Sequence, residues 1–222
     1  MEPPADREAT EPLIMHLAVF GGTGNTGRHL IEQALRNGHE VTALARDPGK
    51  LPAHPHLHAV AGDVRDEQPV REVIAGAHAV LSMLGERGRT TTVCTDGIRS
   101  ILHAMHGAGV RRLLALSAHG VAESRQSNLY VRLGWKLMRG VMQDKERMES
   151  LIRASNTNWT VVRAARIING PHTGDYLSGT ALRLGSMAKI SFADLASFML
   201  SLVRRTNAQK QVISVAFERR RI

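Results

Sequence analysis

Short apolar runs alternate with longer amphipathic stretches along this chain, and the two periods predict its elements in order. Leu13 to Phe20 is an almost unbroken apolar run with His16 inside it. The stretch behind it carries Leu30, Ile31, Ala34 and Leu35 at helical spacing, so a strand followed by a helix is predicted. His39 to Arg46 alternates, is rich in β-formers and stops at a Pro- and Gly-containing turn. His56 to Asp63 predicts a third short strand, and Glu67 to Gly76 returns to helical spacing. His78 to Gly85 reads as a buried strand, and Thr92 to Ala108 as a long helix with Ile98, Ile101, Leu102 and Met105 on one face. Further strands are predicted at Arg111 to Ala118, Trp159 to Ile167 and Lys210 to Phe217, with helices at Gly140 to Ser155 and Ser191 to Val203.

Strands that alternate with helices imply a parallel sheet covered on both faces, and right-handed crossovers leave few topologies. The fold class expected is α/β, a single doubly wound Rossmann fold with a mainly parallel sheet. Residues 1–12 hold three prolines and five charges without apolar periodicity and read as a flexible tail, leaving 13–222 as the one domain with small substrate-side elements near its end. In such sheets ligands sit beyond the carboxyl ends of the strands, where the strand order reverses. Candidate chemistry is therefore sought at those ends.

The first predicted strand runs into four glycines within seven residues, Gly21, Gly22, Gly24 and Gly27. Between a strand and a helix, such glycines permit a tight turn, let backbone approach a pyrophosphate and let the helix pack close to the strand, while the helix N–H groups face the anion. A plain turn is the alternative reading. The second strand ends at Arg46, where an arginine suits a 2′-phosphate and a carboxylate would suit a free ribose hydroxyl. Arg46 points to NADP, with Lys50 or Arg28 as helpers; a surface arginine in a turn is the alternative. Asp63 and Val64 close the third strand and suit an adenine edge, although Asp63 could equally cap the next helix. Leu84 and Gly85 close the fourth, at a bend that admits either a nicotinamide ribose or a simple helix entry.

Ser117 and His119 close the fifth strand, where a hydroxyl and an imidazole could face a nicotinamide; a capping serine and an exposed histidine are the alternative. Arg163 or Arg166 at the end of the sixth would bring a cation toward an anionic substrate, with His172, Asp175 and Tyr176 in the loop beyond. His54, His56 and His58 alternate but have no carboxylate or cysteine ligand following at zinc-like spacing, so no metal is expected.

Composition narrows the function classes. The 29 Lys and Arg against 20 Asp and Glu give a net charge of +9, compatible with nucleic acid, an anionic membrane or anionic small molecules. Aromatic residues make up only 4%, which disfavours base stacking and single-strand binding. No apolar stretch is long enough to span a bilayer and no signal peptide is recognised at the start, so no membrane association is expected. A lone cysteine, Cys94, excludes an intrachain disulfide and suits a reducing cytoplasm. The partner expected is a small-molecule acceptor, on a monomer or weak homo-oligomer.

The stretches "FGGTGNTG", "VTALARDPGKLP", "VAGDV", "GVRRLLALSA", "LIRASNTNWTVVR", "GPHTGDY" and "ISFADLASFML" together resemble the atypical and extended branch of the short-chain dehydrogenase/reductase superfamily, the NAD(P)H-binding, NmrA-like group and in particular its flavin and biliverdin reductases. The resemblance covers nearly everything from Leu13 to Phe217. It implies NADPH at Gly21, Thr23, Gly24, Asn25, Thr26, Gly27, Arg46, Asp63, Val64, Leu84 and Gly85, with Ser117 at the hydroxyl position near the nicotinamide. It implies reduction of flavins and, in some members, of linear tetrapyrroles; the reaction expected is hydride transfer to a flavin, a quinone or a biliverdin-like acceptor, with Ser117, His119 and Arg166 positioning or polarising it. The superfamily's Tyr-x-x-x-Lys acid/base pair is absent, because Gly134 follows Tyr130 and Thr180 follows Tyr176 at that spacing. Lys145 stands where related members often carry a lysine. Arg166 and the Ala164-Ala165 pair replace a histidine and two prolines of the flavin reductases. A non-catalytic NADP(H) sensor, signalling through its basic ends, shares all these cofactor residues.

Overall fold

Each apolar run becomes a strand whose alternate side chains enter opposite layers. The computed structural model describes residues 14–85, 91–126, 138–182, 184–185 and 187–217. The proposed tail at 1–12 and the basic run at Arg219 to Arg221 lie outside them. Seven strands are parallel: β1 (His16–Phe20), β2 (Glu40–Ala45), β3 (Leu57–Ala61), β4 (Ala79–Ser82), β5 (Arg112–Ala118), β6 (Asn158–Ala164) and β10 (Gln211–Ala216). The short β8 (Leu177–Gly179) adds to β10 antiparallel, and the order is β3-β2-β1-β4-β5-β6-β10-β8. The order reverses between β1 and β4, as a doubly wound Rossmann sheet requires.

Alternation along β1 divides the core in two. Leu17 and Val19 pack with Leu30, Ile31 and Ala34 of α1 (Asn25–Arg36) and with Leu195 and Met199 of α5 (Phe192–Leu202). Ala18 and Phe20 pack on the other face, with Ile74 of α2 (Glu67–Ile74), Ile98 of α3 (Val93–Ala108) and Met148 of α4 (Arg139–Ala154). Among the described residues no helix is long and apolar enough to cross a membrane.

The sixth strand departs from the expected pattern. The strand expected from Trp159 to Ile167 divides at Ala165, whose N–H donates to the Val215 carbonyl at 3.2 Å. Beyond it β7 (Arg166–Ile168) leaves the main sheet to pair parallel with β9 (Lys189–Ser191). Periodicity reports that residues are extended but not which strand they pair with, so the break was invisible in the sequence.

At the amino ends of the strands, Arg112 is 8% exposed and has no carboxylate partner among the described residues. Its guanidinium donates to the Val203, Asn158 and Leu202 carbonyls at 3.0, 2.7 and 2.6 Å and to Thr160 Oγ1 at 2.8 Å. Two of those carbonyls end α5, where a cation also opposes the helix dipole. Burial pulls the guanidinium pKa down to about 10, and the four acceptors keep the charge tolerable. Arg112→Met is expected to lower unfolding free energy by about 2–4 kcal/mol in urea titration, because it strands several buried acceptors. Arg112→Lys is expected to recover only part of that, since one ammonium cannot span both α5 and β6.

Candidate cofactor site

The turn after β1 is built by contacts that exclude side chains. Gly21 has φ +81°, and a Cβ there would lie 2.7 Å from the Met83 carbonyl oxygen at the end of β4. A Cβ on Gly27 would lie 2.2 Å from the Gly21 carbonyl, so α1 can start this close to β1 only with glycine. Gly24 is the N-cap of α1 and offers no side chain to its first N–H groups, which leaves them for an external anion.

A cavity of about 290 Å³ opens beside this turn. Phe20, Gly21, Thr23 and Gly24 contribute from the end of β1, and Leu44, Ala45 and Arg46 from β2. Gly62, Asp63 and Val64 follow β3; Met83, Leu84 and Gly85 follow β4; Val93 opens α3. Of the residues expected to hold a cofactor, Gly21, Thr23, Gly24, Arg46, Asp63, Val64, Leu84 and Gly85 thus line one space, and Asn25, Thr26 and Gly27 form the first turn of the adjoining helix. The apolar walls from Phe20, Leu44, Met83 and Val93 were not anticipated, because an apolar residue at a strand or helix end carries no distinguishing signal.

The polar groups differ in their freedom. Lys50 is held by Asp47 at 3.2 Å, whereas the exposed Arg46 enters no ion pair among the described residues. Asp63 accepts the Arg65 N–H at 3.0 Å within the turn, and Asp66 is the N-cap of α2, so Asp63 lies beside the cavity without capping that helix. The glycine turn, the uncapped N–H groups and the unpaired arginine suit a pyrophosphate and a further phosphate. Among the described residues no group of three His, Cys, Asp or Glu side chains is arranged to hold a metal.

Ser117, His119 and Arg166 lie outside the lining of this cavity. Ser117 is 3% exposed and donates to Glu149 Oε1 at 2.6 Å. His119 is half-buried, its N–H donates to the Ala164 carbonyl at 2.8 Å, and burial followed by the Arg163 charge lowers its pKa, favouring a neutral imidazole. Arg166 is exposed on β7, away from the main sheet. Arg163 is buried and engaged twice, with Glu149 Oε2 at 2.6 Å and Glu123 Oε2 at 2.7 Å. Tyr176 packs edge-on against Phe198, and His172 and Asp175 are exposed.

Several organising residues were missed by sequence reasoning. Asp194 accepts from Thr173 N, Thr173 Oγ1 and Gly174 N at 2.7, 2.9 and 2.9 Å, pinning the loop before β8. The Ser191-x-x-Asp194 spacing is a capping signal that could have revealed it, for Ser191 Oγ accepts the Asp194 N–H at 2.9 Å. Asp144 and Glu149 lie on the buried face of α4, beside Lys145, which the resemblance had singled out. Charged residues at helical spacing ordinarily mark a solvated face, so their burial had no sequence signal.

The fold and the cavity are those of a Rossmann protein with a nucleotide-type seat at the carboxyl ends of its strands. The profile of the NAD(P)H-binding family matches residues 21–206, and the chain belongs to that family. It is 32% identical over 121 residues to a 3-beta-hydroxysteroid dehydrogenase of Mycolicibacterium neoaurum, a match covering 49% of this chain and 33% of that protein. The matched part therefore spans about a third of that relative's length. A 3-diazoavenalumate denitrifying reductase of Streptomyces is 28% identical over 195 residues, covering 77% of this chain and 62% of that one. Among solved structures, ChuY, described as an anaerobillin reductase from Escherichia coli O157:H7, has a TM-score of 0.80 at 19% identity, covering 92% of this chain and 98% of that chain. At that identity the likeness speaks for the fold.

The Arg163 network generates a pH prediction. Partial burial opposes ionisation of Glu123, but hydrogen bonds from Arg163 and its own backbone, the Arg163 charge and Arg153 outweigh it and bring the carboxyl from 4.5 to about 2. A depressed carboxyl contributes its stability above the unfolded value and loses it as pH falls through the folded one. Wild type is expected to exceed Glu123→Gln by a constant margin above pH 4.5, narrowing toward about pH 2, in denaturation curves across that range.

Proposed function

We propose that the protein is an NADPH-dependent reductase that transfers hydride to a flavin, a quinone or a biliverdin-like conjugated acceptor. The observation that carries this reading is the absence of a positioned hydroxyl acid on the described part of α4 and β5. Lys145 is on α4, and Val141 stands one turn before it, where the superfamily pair would have its tyrosine. The Ser117 hydroxyl is already donated to Glu149. Reduction of a carbonyl needs a proton delivered to a developing alkoxide, whereas conjugated acceptors take hydride at an electron-poor centre and protons from water. Bound NADPH supplies the hydride, and the protein supplies its orientation.

In this reading Arg46 takes the 2′-phosphate, the α1 N–H groups take the pyrophosphate, and Leu84 and Gly85 face the nicotinamide ribose. His119 and Arg166 polarise or orient the acceptor. Ser117, fixed by Glu149, sets the end of β5. The reductase name of the Streptomyces relative supports the reaction class and leaves the acceptor to be measured.

NADPH oxidation, followed at the nicotinamide absorbance with NADH in parallel, is the test. FMN, FAD, riboflavin, a simple quinone and biliverdin serve as acceptors. Saturable turnover with NADPH and at least one of these is expected. Arg46→Ala is expected to raise the KM for NADPH about tenfold or more and leave that for NADH nearly unchanged, as loss of a charge-assisted contact predicts. Equal loss with both would remove Arg46 from the phosphate role. Tight NADPH binding without turnover on any acceptor would turn the reading to a non-catalytic NADP(H) sensor.

A further inference from the structure

Asp144 and Lys145 are adjacent on α4 and both are buried, at 1% and 6% exposure. Neither side chain lines the cavity, and each ends on a segment that does. Lys145 Nζ donates to the Leu84 carbonyl at 2.7 Å and to the Leu116 carbonyl at 2.6 Å, joining the segment beyond β4 to the carboxyl end of β5. The Asp144 carboxylate accepts the N–H groups of Cys94 and Thr95 at 2.9 Å each and the Thr95 hydroxyl at 2.6 Å. Those are first-turn groups of α3, directly behind the cavity-lining Val93. The Cys94 thiol lies between the two, donating to the same Leu84 carbonyl at 3.4 Å, so the ammonium and the carboxylate converge on one buried site.

We infer that Asp144 and Lys145 are a brace that sets the shape of the cofactor cavity: Lys145 holds Leu84 and Leu116, Asp144 holds the start of α3, and together they fix the wall formed by Leu84, Gly85 and Val93. A parallel strand ends in carbonyl groups and a helix begins in N–H groups, and neither has a partner inside its own element. One helix supplies a cation for the first and an anion for the second. Each is a charge-assisted bond in a dry setting, where the loss of one partner leaves the other stranded. Gly97 makes the fit close, since a Cβ there would lie 2.6 Å from the Leu84 side chain. These are positioning residues that act on the cofactor through Leu84 and Val93.

The inference rests on the cavity being the NADPH seat. Wild type is first titrated with NADPH by fluorescence; failure to bind would sink that reading, whatever the variants do. Given binding, Lys145→Met is expected to weaken NADPH about tenfold or more, and Asp144→Asn to weaken it several-fold. In the cofactor-free proteins, amide hydrogen exchange is expected to rise at residues 83–85 and 116–118 in the first variant and at 94–97 in the second. The KM for NADPH rises while kcat at saturation stays within about twofold, because the brace shapes the seat and does no chemistry. Weaker binding with wild-type exchange in the cofactor-free protein would make Lys145 a direct cofactor ligand and overturn the brace. Raised exchange with wild-type affinity would overturn it as well. If Lys145→Met does not fold, Asp144→Asn alone decides, by the same two readouts.

Discussion

The carboxyl edge of a parallel sheet leaves backbone groups with no partner, and in this protein α4 supplies the partners. Its buried face carries Asp144, Lys145 and Glu149 among Met148 and Ile152, an arrangement that would be costly unless every charge were bonded. Each one is. Asp144 reaches the first N–H groups of α3, Lys145 the carbonyls of Leu84 and Leu116, and Glu149 the hydroxyl of Ser117 and the guanidinium of Arg163. One helix therefore fixes the ends of β4, β5 and β6 and the start of α3. Of these, the segment after β4 and the start of α3 line the cavity beside the glycine turn.

The division of labour across the cavity follows from this. Its β1 side is shaped by exclusion: Gly21 and Gly27 bring backbone against backbone so closely that no side chain fits, and the α1 N–H groups are left for an anion. The opposite side is shaped by attraction, through the charges of α4. The hydroxyl of Ser117 is part of that framework, as is Arg163 with its two carboxylates. Polar residues at the strand ends are thus of two kinds. Arg46 is exposed and unpaired among the described residues, as a ligand-binding cation would be, and Arg163 is buried and satisfied, as a structural one would be.

Much of the architecture was legible in the sequence because its causes are local. Apolar alternation and helical spacing marked the seven parallel strands and the helices between them to within a few residues. The glycine spacing marked the turn, since φ +81° at Gly21 favours glycine and a Cβ at Gly27 would collide with the Gly21 carbonyl. The glycines of the turn and Arg46, Asp63, Val64, Leu84 and Gly85 could be named because the carboxyl end of each strand is the point where its pattern stops, whereas the apolar walls between them could not.

What the tertiary structure decided was which of the named groups are engaged. Ser117, His119 and Arg166 follow one another at strand ends in the sequence, yet Ser117 is turned to Glu149 and Arg166 belongs to a separate small sheet. Asp144, Lys145 and Glu149 look in sequence like the solvated face of a helix, and only packing against β4, β5, β6 and α3 makes them the bonds that hold the edge together. The physical reason is the range of the interactions. Periodicity and backbone conformation are settled over a few residues, while the partners of Asp144, Lys145 and Glu149 on other elements lie 14 to 61 residues away and exist only once the chain has folded.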